Sequence, residues 1–129
     1  MDILKHTLSK TERLNSKNSI TTLFSQGHSF VVYPYRVVFS ELDDKQQAHA
    51  AILVSVPKKK FKRAVKRNLI RRRIKESYRL NKHNLLDTLQ NENKQIGIAF
   101  IYLDKEVREY NNLNTKMREV LQLLINKVS

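Results

Sequence analysis

Apolar residues recur along the chain in two rhythms. In "VVYPYRVVFS" the period is two: Val31, Tyr33, Tyr35, Val37 and Phe39 point one way, Arg36 and Ser40 the other, which predicts a strand over 31–40. Pro34 lacks a backbone N–H and belongs at an edge or bulge of that strand. "AHAAILVSV" places Ile52, Val54 and Val56 on one face and predicts a second strand, paired with the first as a hairpin across the polar turn "ELDDKQQ". "QIGIAFIYL", residues 95–103, is apolar on both faces, as a strand covered on both sides should be.

The other rhythm is helical. In "SKNSITTLF", Ser16 is a candidate N-cap, Ile20, Leu23 and Phe24 share a face, and Gly27 can end the helix. A second helix runs from about Lys62 to about Asn81, with Pro57 placed before its start. On a wheel, its Ile70, Ile74, Ser77, Tyr78, Asn81 and the following Leu85 fall within an arc of about 100° and form the packing face. The last segment places Val107, Tyr110, Met117, Val120, Leu121, Leu124 and Val128 at helical spacing, an amphipathic helix interrupted near "NNLN". The order helix, strand, strand, helix, strand, helix predicts an α+β fold. Helices pack on a mainly antiparallel sheet as a small two-layer sandwich, with one strand–helix–strand crossover between Ala48 and Leu103. At 129 residues the chain suits a single domain over 1–129.

Composition narrows the setting. The chain has no cysteine, which excludes disulfides and thiolate metal sites and favours a reducing compartment. No stretch has the apolar length of a membrane span, and "MDILKHTLSKTERL" lacks a signal peptide's apolar run, so a cytoplasmic location is expected. Charge changes the picture more. The net charge is +13, and it is concentrated: residues 57–82 hold seven lysines and six arginines against Glu76 alone, leaving twelve basic and eleven acidic residues elsewhere. Such crowding opposes the compact state by self-repulsion. A polyanion would recover that cost by releasing its condensed counterions.

The wheel also orders these charges. Asn68, Arg71, Arg72, Lys75 and Arg79 fill an arc beside the packing face, Arg67 lies on the border, and Arg73 and Lys66 point elsewhere. A charge run is usually a solvated face when signs alternate. Here they do not, and pairs between Glu76 and a neighbouring arginine contribute only about 0.2–0.5 kcal/mol each. Arginine outnumbers lysine six to three between residues 62 and 79, and its guanidinium fork suits phosphate oxygens. Nothing resembles a helix-turn-helix placed to read a DNA groove. RNA, bound through phosphates, shape and stacking on unpaired bases, fits better. Phe24, Tyr33, Tyr35 and Phe61 are the candidate stacking rings, though each taken singly is better read as core packing.

These residues resemble a known family. "KKKFKRAVKRNLIRRRIKESYR" is similar to the signature helix of the bacterial ribonuclease P protein subunit, whose pattern is A-V-x-R-N-R-x-K-R-x-x-R-E. Ala64, Val65, Arg67, Asn68, Arg72 and Glu76 match outright, and Arg71 and Lys75 keep the charge. Leu69 stands where the family has an arginine, and Lys62 where it often has glycine. "RL" at 13–14, "LFSQG" at the end of the first helix and the pair Lys59–Lys60 extend the likeness over most of the chain. The resemblance implies a subunit that binds the catalytic RNA of ribonuclease P and the 5′ leader of precursor tRNA, assisting endonucleolytic removal of the leader. The RNA supplies the active site, so no catalytic residue and no protein-bound cofactor are expected, and Mg2+ enters through the RNA. It further implies RNA contacts at Lys59, Lys60, Arg67, Asn68, Arg71, Arg72, Lys75 and Arg79, and a leader cleft at Ile20, Phe24, Tyr35 and Phe61. Arg67, Asn68 and Lys75 would lie near the leader's path, and the crossover would be left-handed. Neither membrane nor DNA is an expected partner.

Independent protein chemistry finds no foothold. Asp43 and Asp44 fall in a turn, and Asp104, Glu106 and Glu109 near a helix start, where they suit the helix dipole better than a metal. His6, His28, His49 and His83 lack zinc spacing, and His49 reads as a surface residue. The alternatives are a structural RNA-binding protein, such as one of the ribosome, and a DNA-binding or membrane-surface module.

Overall fold

A four-stranded sheet in the order β1-β2-β4-β3 organises the chain. Its strands are β1 (His28–Val32), β2 (Tyr35–Glu41), β3 (Ala50–Ser55) and β4 (Ile96–Tyr102); among the described residues four helices accompany them, α1 (Lys17–Gln26), α2 (Ala64–Asn81), α3 (His83–Asn91) and α4 (Tyr110–Val128). The computed structural model describes residues 12–14, 17–42 and 49–129. Ser16, the segment 43–48 with Asp43 and Asp44, and His6 lie outside these.

The segment expected as one strand is two. The chain turns at Tyr33–Pro34, whose peptide bond is cis, and Val32 pairs with Tyr35. Proline has no N–H for a ladder, so the turn sits where one would be missing. The hairpin is therefore β1–β2, and the expected pairing of β2 with β3 does not form. β2 runs antiparallel to β4, and β3 runs parallel to β4. Strand β4, apolar on successive positions, takes the place with a neighbour on each edge and cover on each face, as its sequence demands. The crossover from β3 through α2 and α3 to β4 matches the expected strand–helix–strand unit.

One face of the sheet carries Tyr35, Val37, Ile52, Val54, Ile98 and Phe100, and α2, α3 and α4 close over it. Ile70, Ile74 and Tyr78 of α2, Leu85 and Leu89 of α3, and Leu113, Met117 and Leu124 of α4 complete that core. The rings of Tyr78 and Tyr35 lie 5.7 and 6.3 Å from that of Phe100. The other face has a smaller cluster: Leu23 of α1 with Leu14, Val38, Ala51 and Ala99, flanked by Ile20, Leu53 and Ile101. Gly27 ends α1 as expected, its N–H donating to the Leu23 carbonyl at 2.9 Å. A Cβ at this position would lie 2.3 Å from that oxygen and 3.0 Å from the Phe39 carbonyl, so only glycine lets α1 close onto the hairpin.

Two helices differ from the sequence reading. α3 lies outside the helices the periodicity predicts: a single residue, Lys82, separates it from α2, and Leu85 belongs to it rather than to α2. α4 runs through "NNLN" without a break because Leu113 is fully buried and Asn114 is bonded to Asn81 of α2 at 2.7 Å; packing overrides asparagine's weak propensity. Val107 lies before α4 and is exposed. Among the described residues no helix is long and apolar enough to cross a membrane.

Candidate nucleic-acid interface

Helix α2 forms because its apolar positions recur on one side and the closed face of the sheet accepts them: Ile70, Ile74, Ser77 and Tyr78 are its buried residues. Asn81, the fifth member of the expected packing face, is half-buried and donates to the Ser77 carbonyl and to Asn114 Oδ1, both at 2.7 Å. The charged arc lies where the wheel puts it. Asn68, Arg72 and Lys75 are exposed, and Arg71 and Arg79 are half-exposed. Arg71 donates to Asn68 Oδ1 at 2.9 Å, and Arg79 pairs with Glu76 at 2.6 Å. Arg72 and Lys75 meet no carboxylate among the described residues.

Neighbouring cations are fixed differently, by backbone carbonyls. Arg67 Nη1 donates to the carbonyls of Phe61 at 2.7 Å and Lys62 at 3.0 Å, tying the incoming loop to the helix. Arg73 Nη1 donates to the Arg108 carbonyl at 2.7 Å, fastening α2 to the loop before α4. Lys60 Nζ donates to the Leu103 carbonyl, while Lys59 is exposed. One cation of the basic segment is not on the surface at all. Lys82, 2% exposed, pairs with the buried Glu12 at 2.7 Å. Beside that pair Leu14 N–H donates to the Ile52 carbonyl at 2.8 Å, so residues 12–14 lie along the outer edge of β3.

The structure does not bring the four expected cleft residues together. Ile20, half-buried, and Phe24, 48% exposed, lie on α1, which packs on the second face. Tyr35 is fully buried on the first face and its hydroxyl donates to the Leu113 carbonyl at 3.1 Å. Phe61 is buried there too, 6.0 Å from the Tyr102 ring. Neither ring can stack on a ligand. The residue of β2 that reaches solvent on the α1 side is Arg36, set opposite Val31 and Ile101. The alternation along the strand already put Arg36 opposite Tyr35, and that was the available signal. Tyr33 is 50% exposed, with the Arg108 guanidinium 5.2 Å from its ring centre.

Two openings carry chemistry the sequence left unassembled. At one end of the sheet a cleft of about 360 Å³ lies between α1 (Thr22, Gln26), the strands (His28, Phe39), Lys94 and, from the end of α4, Lys127. Ser40 also lines it, its hydroxyl buried without a partner. A second groove, about 560 Å³, gathers Lys60, Lys62, Arg63 and Lys66 at the start of α2 with Lys105 from the loop after β4. Lys105 is distant in sequence from the basic segment, so nothing local marked it.

The remaining titratable groups serve the fold. Burial raises the Tyr35 and Tyr78 phenols and pushes Tyr102 up to about 12, against the lowering effect of the Arg108 N–H that donates to its hydroxyl. The Arg108 guanidinium, 2.7 Å away, holds the Asp104 carboxyl below its ordinary value. Asp104 is thus taken up by an arginine; Glu109 is the N-cap residue of α4, at the positive end of the helix dipole as expected, although its side chain makes no cap hydrogen bond and the first turn itself holds no acid. His49 is half-buried rather than on the surface, its Nδ1 donating to the Lys94 carbonyl at 2.8 Å. No group of three or more His, Asp or Glu able to hold a metal occurs among the described residues.

The Ribonuclease P family profile matches residues 8–125. The chain belongs to the ribonuclease P family. A ribonuclease P protein component of Porphyromonas gingivalis is 44% identical over 114 residues, covering 88% of this chain and 83% of that one. Among solved structures, a Staphylococcus aureus RNase P protein mutant with defective mRNA degradation activity superposes with a TM-score of 0.69 at 21% identity, covering 89% of each chain. The RNase P protein from Thermotoga maritima gives 0.64 at 20% identity, covering 87% of this chain and 96% of the other. At such identities the likeness speaks for the fold. Within the ribonuclease P pattern, Leu69 is half-buried and lies off the Asn68–Arg79 stripe, beside Arg73 and Tyr110.

Proposed function

We propose that the protein is the accessory subunit of ribonuclease P, binding the catalytic RNA and the 5′ leader of precursor tRNA. The observation that carries this reading is the cationic arc of α2, on which Arg72 and Lys75 stand exposed and unneutralised next to cations already held by carbonyls. Counterion release from the RNA supplies the driving force, and the guanidiniums take phosphate oxygens two at a time. The chemistry belongs to the RNA, and Mg2+ enters with it. The leader, a single strand, fits the cleft between α1, the end of the sheet and α4. There Thr22, Gln26 and His28 offer polar edges, and Lys94 and Lys127, beside the Glu41 carboxylate, offer charge for phosphates. Phe24 and Arg36 extend that path along the open side of the sheet.

Reconstitution tests the reading. The protein alone leaves precursor tRNA uncut, and with the host's ribonuclease P RNA it lowers the magnesium concentration needed for cleavage. Arg72→Ala weakens binding to that RNA and lowers the log–log salt slope by about one unit at most. Absence of stimulation at every magnesium concentration sinks the proposal.

A further inference from the structure

Between the first half of α2 and the start of α4 lies a groove of about 420 Å³ lined by Leu69, Arg72, Arg73, Glu76 and Tyr110. Its composition differs from the rest of the RNA-facing side. Leu69 and the Tyr110 ring are apolar, and Arg72 stands free at the rim. Arg73 is held by the Arg108 carbonyl, and Glu76 is engaged by Arg79. Two further apolar side chains on α2 stay in solvent, Val65 one turn before Leu69 and Leu80 one turn beyond Glu76. A helix whose other outward positions are charged gains nothing in solubility from them.

Tyr35 and Tyr102 are closed in the core with hydroxyls bonded to backbone carbonyls. Tyr110 is half-exposed: its hydroxyl is buried without a hydrogen-bond partner, as that of Tyr78 is, and part of its ring reaches solvent in the groove. An aromatic face and a leucine side by side, with an uncommitted guanidinium at arm's length, suit a planar, apolar-faced group that carries a negative charge. A nucleotide has both parts. The base stacks on the ring, and its phosphate meets Arg72. A purely anionic ligand would leave Leu69 and Tyr110 without a role, and a purely apolar partner would leave Arg72 desolvated and unpaired.

Resting on the RNA-binding reading above, we propose that this groove is a nucleobase site: one unpaired base of the ribonuclease P RNA stacks on Tyr110 against Leu69 while Arg72 holds the adjoining phosphate. Leu69 is then more than a lost cation. Where the family pattern has an arginine, this chain grips the RNA by stacking, which is insensitive to salt.

The experiment measures binding of the host's ribonuclease P RNA, transcribed in vitro, over a range of KCl concentrations, and maps crosslinks formed on ultraviolet irradiation of the wild-type complex. Tyr110→Leu binds roughly 5- to 150-fold more weakly with an unchanged log–log salt slope, whereas Tyr110→Phe retains the wild-type affinity. Arg72→Ala lowers the slope. The peptide containing Tyr110 carries a crosslinked nucleotide. Should Tyr110→Leu fail to fold, Leu69→Ala takes its place, again weakening binding at constant slope, and the wild-type crosslink needs no variant. Wild-type affinity in Tyr110→Leu or Leu69→Ala, with no nucleotide on that peptide and the Arg72→Ala effect intact, overturns the nucleobase site and leaves the RNA-binding reading standing. Failure of the wild-type protein to bind the RNA at all overturns the RNA-binding reading, and the site with it.

Discussion

The two faces of the sheet are covered to different extents. Three helices close the first, and the rings of Tyr35, Tyr78 and Phe100 are shut away there. Only α1 lies over the second among the described elements, and Val31 and Arg36 of the hairpin stay in solvent, as does Phe24 of α1. The difference separates two tasks. Apolar area removed from water stabilises the fold, and most of it is on the first face. Groups that a partner can reach must remain uncovered, and the second face and the outer side of α2 hold them. Aromatic residues alone do not reveal which task they serve, because Tyr35 and Phe24 look equally suited to stacking until the faces are assigned.

Mutations should respect this division. Glu12→Ala leaves the buried Lys82 ammonium without its carboxylate and should cost about 3–5 kcal/mol in urea unfolding. A loss under about 1 kcal/mol would mean that the Glu12–Lys82 pair behaves as a surface ion pair. Ile74→Ala, in the middle of the first face, should cost about 2–5 kcal/mol, whereas Ile20→Ala on the second should cost about 1 kcal/mol. Equal losses would erase the comparison. Alkali probes the same contrast. An unfolded tyrosine ionises at about pH 10, while burial raises Tyr35 and Tyr78 and holds Tyr102 at about 12. Their contribution to stability is whole below about pH 10 and fades as the pH rises further, because the unfolded chain ionises first. Unfolding free energies measured from neutral pH upward should fall in that window, with phenolate absorbance rising as the fold is lost. The smallest effect belongs to the open side. Arg36→Ala should change stability by no more than about 0.5 kcal/mol, yet lower the salt slope for a single-stranded leader by up to about 0.7 units.

Much of this was legible in the sequence where one periodicity governed one element. The wheel of α2 assigned Ile70, Ile74, Ser77 and Tyr78 inward and Asn68, Arg72 and Lys75 outward, and β4 announced its central place by being apolar at successive positions. Failures came where two signals ran in phase. "VVYPYRVVFS" keeps its alternation across Pro34, so a hairpin reads as one strand, and Val31 was assigned to the face of Tyr35 when it lies opposite Arg36. Lys82 adds to the concentrated charge of residues 57–82, yet it is buried against Glu12, 70 residues away, and nothing local marks that pairing. The joint between α2 and α3 carries no glycine or proline to mark it. The grooves formed with Lys105 and with Tyr110 depend on where the loop after β4 and the start of α4 come to rest against α2, which no local pattern encodes.

Arg67, Arg73 and Lys60 are all moored to backbone oxygens, which carry no formal charge. Such mooring restrains a flexible side chain and leaves its electrostatic field undiminished. A carboxylate in the same place would have cancelled the field. An arriving polyanion would therefore meet cations that have already given up part of their rotational freedom, and the entropy lost on docking would be smaller than for the same residues swinging loose.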